Sequence, residues 1–164
     1  MLTLRFVTTL CTTTLLTAIH LSAYAAPDAV ELKSVAEKEI IVMKNGKQET
    51  KRVAVDVAVP GDEIVYTTTF KNLLNKPTGD IVITNPIPND SFYKGGSAAG
   101  VNTVITFSVD SGKQFASPEK LTVKTTDGKT RPALPADYTH IRWTYQGELG
   151  IGKTGAVSFR TTIK

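Results

Sequence analysis

The alternation of apolar and polar residues with a period of two constrains this chain more than any other feature. Side chains along a β-strand point alternately to the two faces of a sheet, so this alternation is typical of a strand with one face on a core. Each alternating segment is long enough for one short strand. The segments are residues 53–59, 64–70, 81–83, 105–109, 121–123, 141–145 and 157–163.

Composition supports the same fold class. Residues 26–164 contain 14 Val, 10 Ile and 17 Thr but only 6 Leu. β-Branched side chains lose rotamer freedom in a helix and pack well on a pleated surface. No window of ten or more residues repeats apolar side chains at helical spacing, and only residues 30–39 are ambiguous. The chain is therefore predicted to be all-β.

Turn residues separate the alternating segments. Asn45-Gly46 predicts a two-residue hairpin turn, because both residue types tolerate a positive φ angle. Residues 85–90 contain two prolines, which excludes a central strand there. Short strands at this spacing predict a single antiparallel β-sandwich of roughly 7–9 strands, formed by residues 26–164. Further turns or crossings are expected at residues 60–62, 95–100, 127–128 and 132–135.

The first 25 residues have the pattern of a secretory signal. Arg5 supplies a positive charge, residues 6–21 are apolar without an acidic residue, and Ala23-Tyr24-Ala25 fits the cleavage site. We expect residues 1–25 to be removed and the mature chain to begin at Ala26. A membrane anchor is the alternative, but many threonines interrupt the apolar stretch. The predicted destination is the periplasm, the cell surface or the medium, with no transmembrane segment in the mature chain.

Several classes of function are disfavoured by what the chain lacks. The single cysteine, Cys11, lies in the predicted leader, and His140 is the one histidine after it. Most zinc sites and most Ser-His or Cys-His catalysis are therefore not expected. The 19 basic and 15 acidic residues give a formal net charge of +4, which is too small for a dedicated nucleic-acid binder. Catalytic residues, cofactors and metal ligands are all predicted to be none.

A phosphate-loop pattern is present but is predicted to be accidental. Residues 147–154 match G-x-x-x-x-G-K-[ST] in full. A phosphate loop needs a helix directly after it, because the helix N-terminus faces the phosphates. Residues 157–163 instead alternate as a strand. We therefore expect no nucleotide binding, with Lys153 in a turn and pointing into water.

Residues 108–115 match S-x-D-x-G-x-x-[WF], the Asp-box pattern of some sialidase-type propellers. In that pattern the aspartate binds turn amides and the aromatic residue packs beneath the turn. A structural turn is expected from one copy on a short chain, and a glycan site is the alternative.

A calcium site is a second alternative, because oxygen-bearing side chains near turns could gather at one end of a sandwich. Calcium takes six to eight oxygen ligands, yet no D-x-D-x-D run supplies them locally. Capping of turns by these side chains is the competing interpretation. The candidates are Asp62, Glu63, Asp80, Asn85, Asn89 and Asp90.

Two further groups of residues suggest contact surfaces. Lys44, Lys47, Lys51 and Arg52 surround the Asn45 turn and form a basic tip. This tip is either a solvated hairpin that discourages aggregation or a contact for anionic glycans or lipid headgroups. A row of exposed aromatic residues would favour carbohydrate binding, and the candidates are Phe92, Tyr93 and Tyr138. His140 alternates away from the apolar face and is expected to face solvent.

Three segments together resemble one family. Residues 60–72 start with Pro-Gly-Asp and continue as a strand, residues 80–88 end in Ile-Pro, and residues 139–160 end in a glycine-rich hairpin. In this order they resemble the bacterial "conserved repeat domain", the domain of unknown function number eleven, over about residues 30–164. Asn85 stands where the family commonly has Asp, and Ile151 where it commonly has Pro. Residues 38–59 look like an inserted hairpin.

The resemblance implies an immunoglobulin-like sandwich on an exported bacterial protein, often a spacer or surface module. It carries no catalytic residue over to this chain. The expected function is a non-enzymatic structural or interaction module of the cell envelope, whose partner is an unknown protein or a surface glycan. A carbohydrate- or calcium-binding accessory protein is the alternative.

Overall fold

A computed structural model describes residues 29–164, and the predicted leader lies outside the described residues. The described part is all-β, as predicted, with two short 3₁₀ helices at Pro118–Lys120 and Pro135–Asp137. No helix in residues 29–164 is long and apolar enough to cross a membrane. The strands are β1 Val30–Lys44, β2 Lys47–Ala54, β3 Glu63–Asn72, β4 Val82–Pro86, β5 Ser91–Tyr93, β6 Ala99–Gly100, β7 Thr103–Ser108, β8 Thr122–Lys124, β9 Thr130–Pro132, β10 His140–Tyr145 and β11 Thr154–Ile163.

Two antiparallel sheets form the predicted sandwich. The larger sheet has the order β2-β1-β3-β11-β5, and β6 also pairs with β11. The smaller sheet has the order β4-β10-β7, and β8 and β9 form a separate hairpin. Four of these strands, β5, β6, β8 and β9, have at most three residues. Strands β3, β4, β7, β8, β10 and β11 lie on the alternating segments of the sequence, and residues 53–59 are the exception.

The core lies between the inner faces of the two sheets. Trp143 and Ile141 of β10 are fully buried, as their alternation predicts. The Trp143 ring lies 6.0 Å from the Phe159 ring of β11, centroid to centroid. Phe70 of β3 meets Tyr145 edge to face at 5.6 Å. These contacts join the sheets through large apolar side chains, whose burial is the main favourable contribution to folding.

Strand β1 extends past the sandwich and carries a hairpin. Residues 30–38 of β1 pair with β3, whereas residues 37–44 pair with β2. The Asn45-Gly46 turn closes this hairpin with φ angles of 50° and 74°, which confirms the predicted two-residue turn. We call residues 39–52 the arm. Most of its side chains are exposed.

The prediction of one strand over residues 53–59 is wrong in its second half. Strand β2 ends at Ala54, and Val57 and Val59 are 69% and 54% exposed. The chain leaves the sheet here to enter the turn before β3, where the Val59 amide donates to an Asp62 carboxylate oxygen. Val55 still donates a backbone hydrogen bond to the Ala36 carbonyl of β1, but Val57 and Val59 pair with none of the described strands, so their alternation does not extend β2.

The proline-containing segments lie where prolines are tolerated. Strand β4 includes Pro86 but is the edge strand of its sheet, so residues 85–90 contain no central strand, as predicted. The expected extended crossing at residues 132–135 is instead the end of β9 followed by the start of the second 3₁₀ helix at Pro135.

Candidate functional site

An apolar cleft of about 360 Å³ opens beside the core, between the β5–β6 connection, β7 and the two 3₁₀ helices. This volume is at the lower end of the range of small-ligand sites, which runs from about 300 to 1,000 Å³. Aromatic, proline and glycine residues dominate the lining. The lining residues are Tyr93, Gly95, Gly96, Ala98, Ile105, Phe107, Pro118, Pro135 and Tyr138.

Three aromatic rings form the floor of this cleft. Phe107 stacks on Tyr138 with centroids 4.6 Å apart, and Tyr93 lies 5.4 Å from Phe107. Tyr93 and Tyr138 are 6.0 Å apart. Aromatic pairs at these separations stabilise each other beyond the burial of their surface. The floor is therefore a rigid cluster, since each ring is packed against the other two.

Local structure around each ring explains its position. Tyr93 and Phe92 are neighbours on β5, so they point to opposite faces, and Tyr93 takes the inner one. Tyr138 directly follows the second 3₁₀ helix, whose Asp137 carboxylate accepts two hydrogen bonds from the Arg131 guanidinium. The same carboxylate accepts from the Leu134 amide at 2.7 Å. Hydrogen bonds from Arg131 hold the pKa of Asp137 below its usual value. The Asp137 carboxylate therefore stays charged at neutral pH.

The rim needs a small residue at one point. A side-chain carbon on Gly95 would lie 3.0 Å from Cγ of Pro135, which is closer than ordinary van der Waals contact. The glycine therefore lets the β5–β6 connection approach the second 3₁₀ helix and narrow the cleft.

The polar groups of the cleft are few. The Tyr93 hydroxyl accepts a hydrogen bond from the Ala98 amide at 3.0 Å. Burial raises the pKa of Tyr138, so its hydroxyl stays neutral at physiological pH. Among the lining residues only the two tyrosines titrate, and no carboxylate is present. The cleft can hold an apolar group by contact but supplies no acid–base pair.

The aromatic residues predicted for carbohydrate binding do not form one exposed row. Tyr93 and Tyr138 are only 5% and 8% exposed, contrary to the expectation, while Phe92 is 46% exposed on the opposite face. The Lys164 ammonium lies 4.6 Å from the centre of the Phe92 ring. Phe107 was missing from the predicted group, although the alternation of residues 105–109 already placed it on an inner face.

A charged cluster crosses the outer face of the larger sheet and binds the arm to it. The Arg160 guanidinium donates to both Glu39 carboxylate oxygens, at 2.8 and 3.1 Å, and to Glu63 at 2.7 Å. Arg52 of β2 donates to Glu39 at 3.2 Å, and Lys94 pairs with Glu63. We call these five residues the ion-pair network. Hydrogen bonds from Arg160 and then Arg52 lower the pKa of Glu39 from 4.5 to about 2.

The phosphate-loop lookalike is a turn between two strands. Strand β10 ends at Tyr145, Lys153 lies in the turn, and β11 begins at Thr154, so a strand follows the glycines instead of a helix. Asn72, 1% exposed, holds the turn through its amide group, which donates to the Leu149 carbonyl at 2.8 Å and the Gly150 carbonyl at 3.2 Å. Lys153 is exposed, as predicted.

The Asp-box segment forms a compact turn. One Asp110 carboxylate oxygen accepts from the Ser108 hydroxyl at 2.7 Å and from the Lys113 and Gln114 amides at 3.1 and 3.0 Å. The Ser108 hydrogen bond is the largest cause of a lowered pKa at Asp110. The Phe115 ring packs under the Arg142 guanidinium at 3.6 Å. The hydrogen bonds of Asp110 to the turn amides are what the structural interpretation predicts, whereas the contact of the aromatic ring is with Arg142 of β10.

Three of the six calcium candidates are engaged with other groups. Glu63 belongs to the ion-pair network, Asp62 accepts from the Val59 amide, and the Asn85 amide group donates to the Thr68 hydroxyl at 2.8 Å. Within residues 29–164, no three His, Cys, Asp or Glu side chains come together in an arrangement that could hold a metal ion. Of the four carboxylates among the six candidates, no three come together in such an arrangement.

Two cations of the basic tip are paired with carboxylates, and His140 is partly buried. Lys44 lies 3.7 Å from Glu49 across the hairpin, and Arg52 is bound to Glu39. His140 lies on the outer face of its sheet but is half-buried rather than open to solvent, because its ring packs against Gly112. Its Nδ1 atom is 3.2 Å from the Thr139 hydroxyl.

Comparison with protein-family models, with curated proteins and with solved structures finds no match for this chain.

Proposed function

We propose that this chain is a non-enzymatic interaction module of the bacterial cell envelope that holds an apolar side chain of a partner protein in the aromatic cleft. The observation that carries the proposal is the lining of the cleft, which combines three aromatic rings and two prolines with no carboxylate. Such a surface binds by exclusion of water from apolar groups.

A protein segment fits this cleft better than a sugar. Sugar recognition uses an open aromatic face together with convergent polar groups that bind the hydroxyls. Here the ring faces of Phe107 and Tyr138 are stacked on each other, and the Tyr93 hydroxyl is already bonded to the Ala98 amide. An aliphatic, proline or aromatic side chain needs neither free ring faces nor free polar groups.

Export and an envelope location rest on the sequence. The signal pattern of residues 1–25 and the resemblance to the conserved repeat domain both support a chain that acts outside the cytoplasm. A protein that acts by binding a partner needs no cofactor outside the cytoplasm.

Photo-cross-linking in the producing cell tests the proposal. A photoreactive phenylalanine analogue replaces Ala136, which is exposed beside Pro135 at the rim, and the control places it at the exposed Ala58. We expect a discrete protein adduct from position 136 that position 58 does not give. Equal adducts from both positions, or none, would contradict a binding site at the cleft.

Two neighbouring alanines decide whether the cleft itself is required. Ala98→Leu fills the cleft, whereas Ala99→Leu adds the same bulk to an exposed residue outside it. The adduct should disappear in the first variant and persist in the second. A synthetic peptide covering the cross-linked segment should bind the purified protein and lose at least tenfold in affinity with Ala98→Leu. Binding of glycans on an array without binding of the peptide would contradict a protein partner and support a carbohydrate.

A further inference from the structure

Strand β2 has an unpaired backbone edge. It is the last strand of the larger sheet and pairs only with β1 among the described strands. A free edge of this length is a template for pairing with another chain. All but one of the side chains of β2 are exposed, so no part of residues 29–164 covers this edge.

The arm also exposes apolar side chains that a second layer would normally cover. Ile41 and Met43 of β1 are 70% and 67% exposed. A two-stranded hairpin is marginally stable in water by itself, and stability normally requires at least a third strand or a packed face. Ile41 pairs directly with Thr50 of β2, so it lies one strand away from the free edge.

We infer that two copies of this chain associate through their β2 edges, in an antiparallel register with Thr50 opposite Thr50 of the second copy. This interaction goes beyond the proposed function, since the arm and the aromatic cleft share no residue. A second copy fits this edge because the charges along β2 match when two β2 strands run antiparallel with Thr50 on the two-fold axis.

The charge pattern favours this register over the neighbouring registers centred on Glu49 and Lys51, each of which places two identical charges opposite each other. With Thr50 at the two-fold axis, Glu49 lies opposite Lys51 of the second copy, and Lys51 lies opposite its Glu49. Gln48 faces Arg52, and Lys47 faces Val53, so no like charges meet. Moving the centre to Glu49 places two carboxylates opposite each other and Lys47 opposite Lys51. Opposite charges stabilise cross-strand pairs and like charges destabilise them.

The same register aligns the Ile41 and Thr50 side chains of the two copies and keeps their Lys47 side chains apart. Thr50 lies on the face that carries Ile41, so the Ile41 and Thr50 side chains of both copies form one row across the joined sheet. The Lys47 side chains of the two copies lie about 20 Å apart, because six residues at 3.3 Å per residue separate them along the paired strands. Repulsion between these two lysines is therefore weak at physiological ionic strength.

Disulfide trapping tests the register. In a Cys11→Ser background, Thr50→Cys supplies the one thiol of the chain. Directly opposed residues have Cβ atoms about 4.5–5.5 Å apart, which a small adjustment brings into disulfide range. We expect mild oxidation to convert most of this variant into a dimer that dithiothreitol reverses. Gln48→Cys is the matched control, because its two thiols would be about 13 Å apart. Equal cross-linking of both variants, or of neither, would overturn the proposed register.

A charge swap tests the interaction without a cross-link. Glu49→Lys places like charges opposite each other twice, and we expect it to weaken the dimer about tenfold in sedimentation equilibrium. Adding Lys51→Glu restores opposite charges at both positions and should restore the affinity. Both residues are exposed, so thermal unfolding should change little. A wild-type chain that stays monomeric up to millimolar concentration, or a dimer indifferent to Glu49→Lys, would refute the proposal.

Discussion

Strand β1 runs through two regions of the molecule that are stabilised differently. Its first half belongs to the sandwich, where the neighbouring β3 and β11 pack Phe70 and Phe159 against the second sheet. Its second half forms the arm, where apolar residues such as Ile41 remain exposed and Arg160 fixes Glu39 through two hydrogen bonds. Both halves of β1 are strand, but a core forms only where a second sheet covers one face of the larger sheet.

The largest effect is expected from removing the central side chain of the sandwich. Trp143→Ala should lower the free energy of unfolding by about 3–5 kcal/mol, because a fully buried large side chain leaves a cavity. Met43→Ala in the arm should change it by less than about 0.5 kcal/mol, as at other exposed sites. Urea denaturation of both variants measures the contrast.

Trp143→Phe refines this first prediction. The indole nitrogen of Trp143 is buried and has no hydrogen-bond partner among residues 29–164. Phenylalanine keeps part of the ring volume and removes the unpaired N–H. Trp143→Phe should therefore lower the free energy of unfolding clearly less than Trp143→Ala does. A Trp143→Ala loss below about 1 kcal/mol would place the ring outside the core and remove the distinction between the two regions.

The second effect concerns the polar part of the sandwich. Asn72→Ala should cost about 2–3 kcal/mol, because it removes the hydrogen bonds that a buried amide group makes to the neighbouring backbone. The lost hydrogen bonds run to the Lys76 and Leu149 carbonyls and from the Leu74 amide. Asn75→Ala, three residues away and exposed, is the control and should be nearly neutral. Equal stabilities of the two variants in chemical denaturation would mean that the turn before β11 is stable without the hydrogen bonds of Asn72.

The third effect concerns the arm and depends on pH. Glu39 has a pKa near 2 in the folded chain against 4.5 as its ordinary value, so its stabilising contribution is present above about pH 4.5. That contribution disappears as the pH falls towards 2, because the unfolded chain then binds the proton more readily. Wild type should therefore exceed Glu39→Gln in stability at pH 7, and the gap should close between about pH 5 and 2.

Denaturation at a series of pH values measures this gap. Glu31→Gln, which removes a β1 carboxylate outside the ion-pair network, controls for the loss of one charge. A gap that stays constant down to pH 2 would show that Arg160 does not hold Glu39 in solution.

The smallest effect is expected at the lysine of the phosphate-loop lookalike. Lys153→Ala should change stability by less than about 0.5 kcal/mol, because the side chain lies exposed in a turn. Millimolar ATP–Mg²⁺ should give no thermal shift, whereas a site filled to a hundred times its Kd would add about 2.7 kcal/mol. A saturable shift that Lys153→Ala abolishes would show that this turn binds nucleotide.

Local features of the sequence were sufficient for much of the fold. The turn at Asn45-Gly46, the burial of Trp143 and the strand after Lys153 follow from residue types and their spacing over a few positions. Asn72 was missed, because an asparagine at the end of a strand gives no sign that it binds a loop 77 residues away. Of the cleft, Tyr93 and Tyr138 were selected as aromatic residues in loops, but their packing with Phe107 was not predicted.

The sequence by itself determined the positions of β3, β7, β10 and β11 and which face of each is apolar, because alternation and turn chemistry act between close neighbours along the chain. Only the tertiary structure decided that β3 lies between β1 and β11, that residues 56–59 leave the sheet, and that Arg160 meets Glu39 across 121 residues. These outcomes depend on which strands pair at long range, and local alternation is compatible with many pairings. The arm, the ion-pair network and the aromatic cleft all arise from that choice.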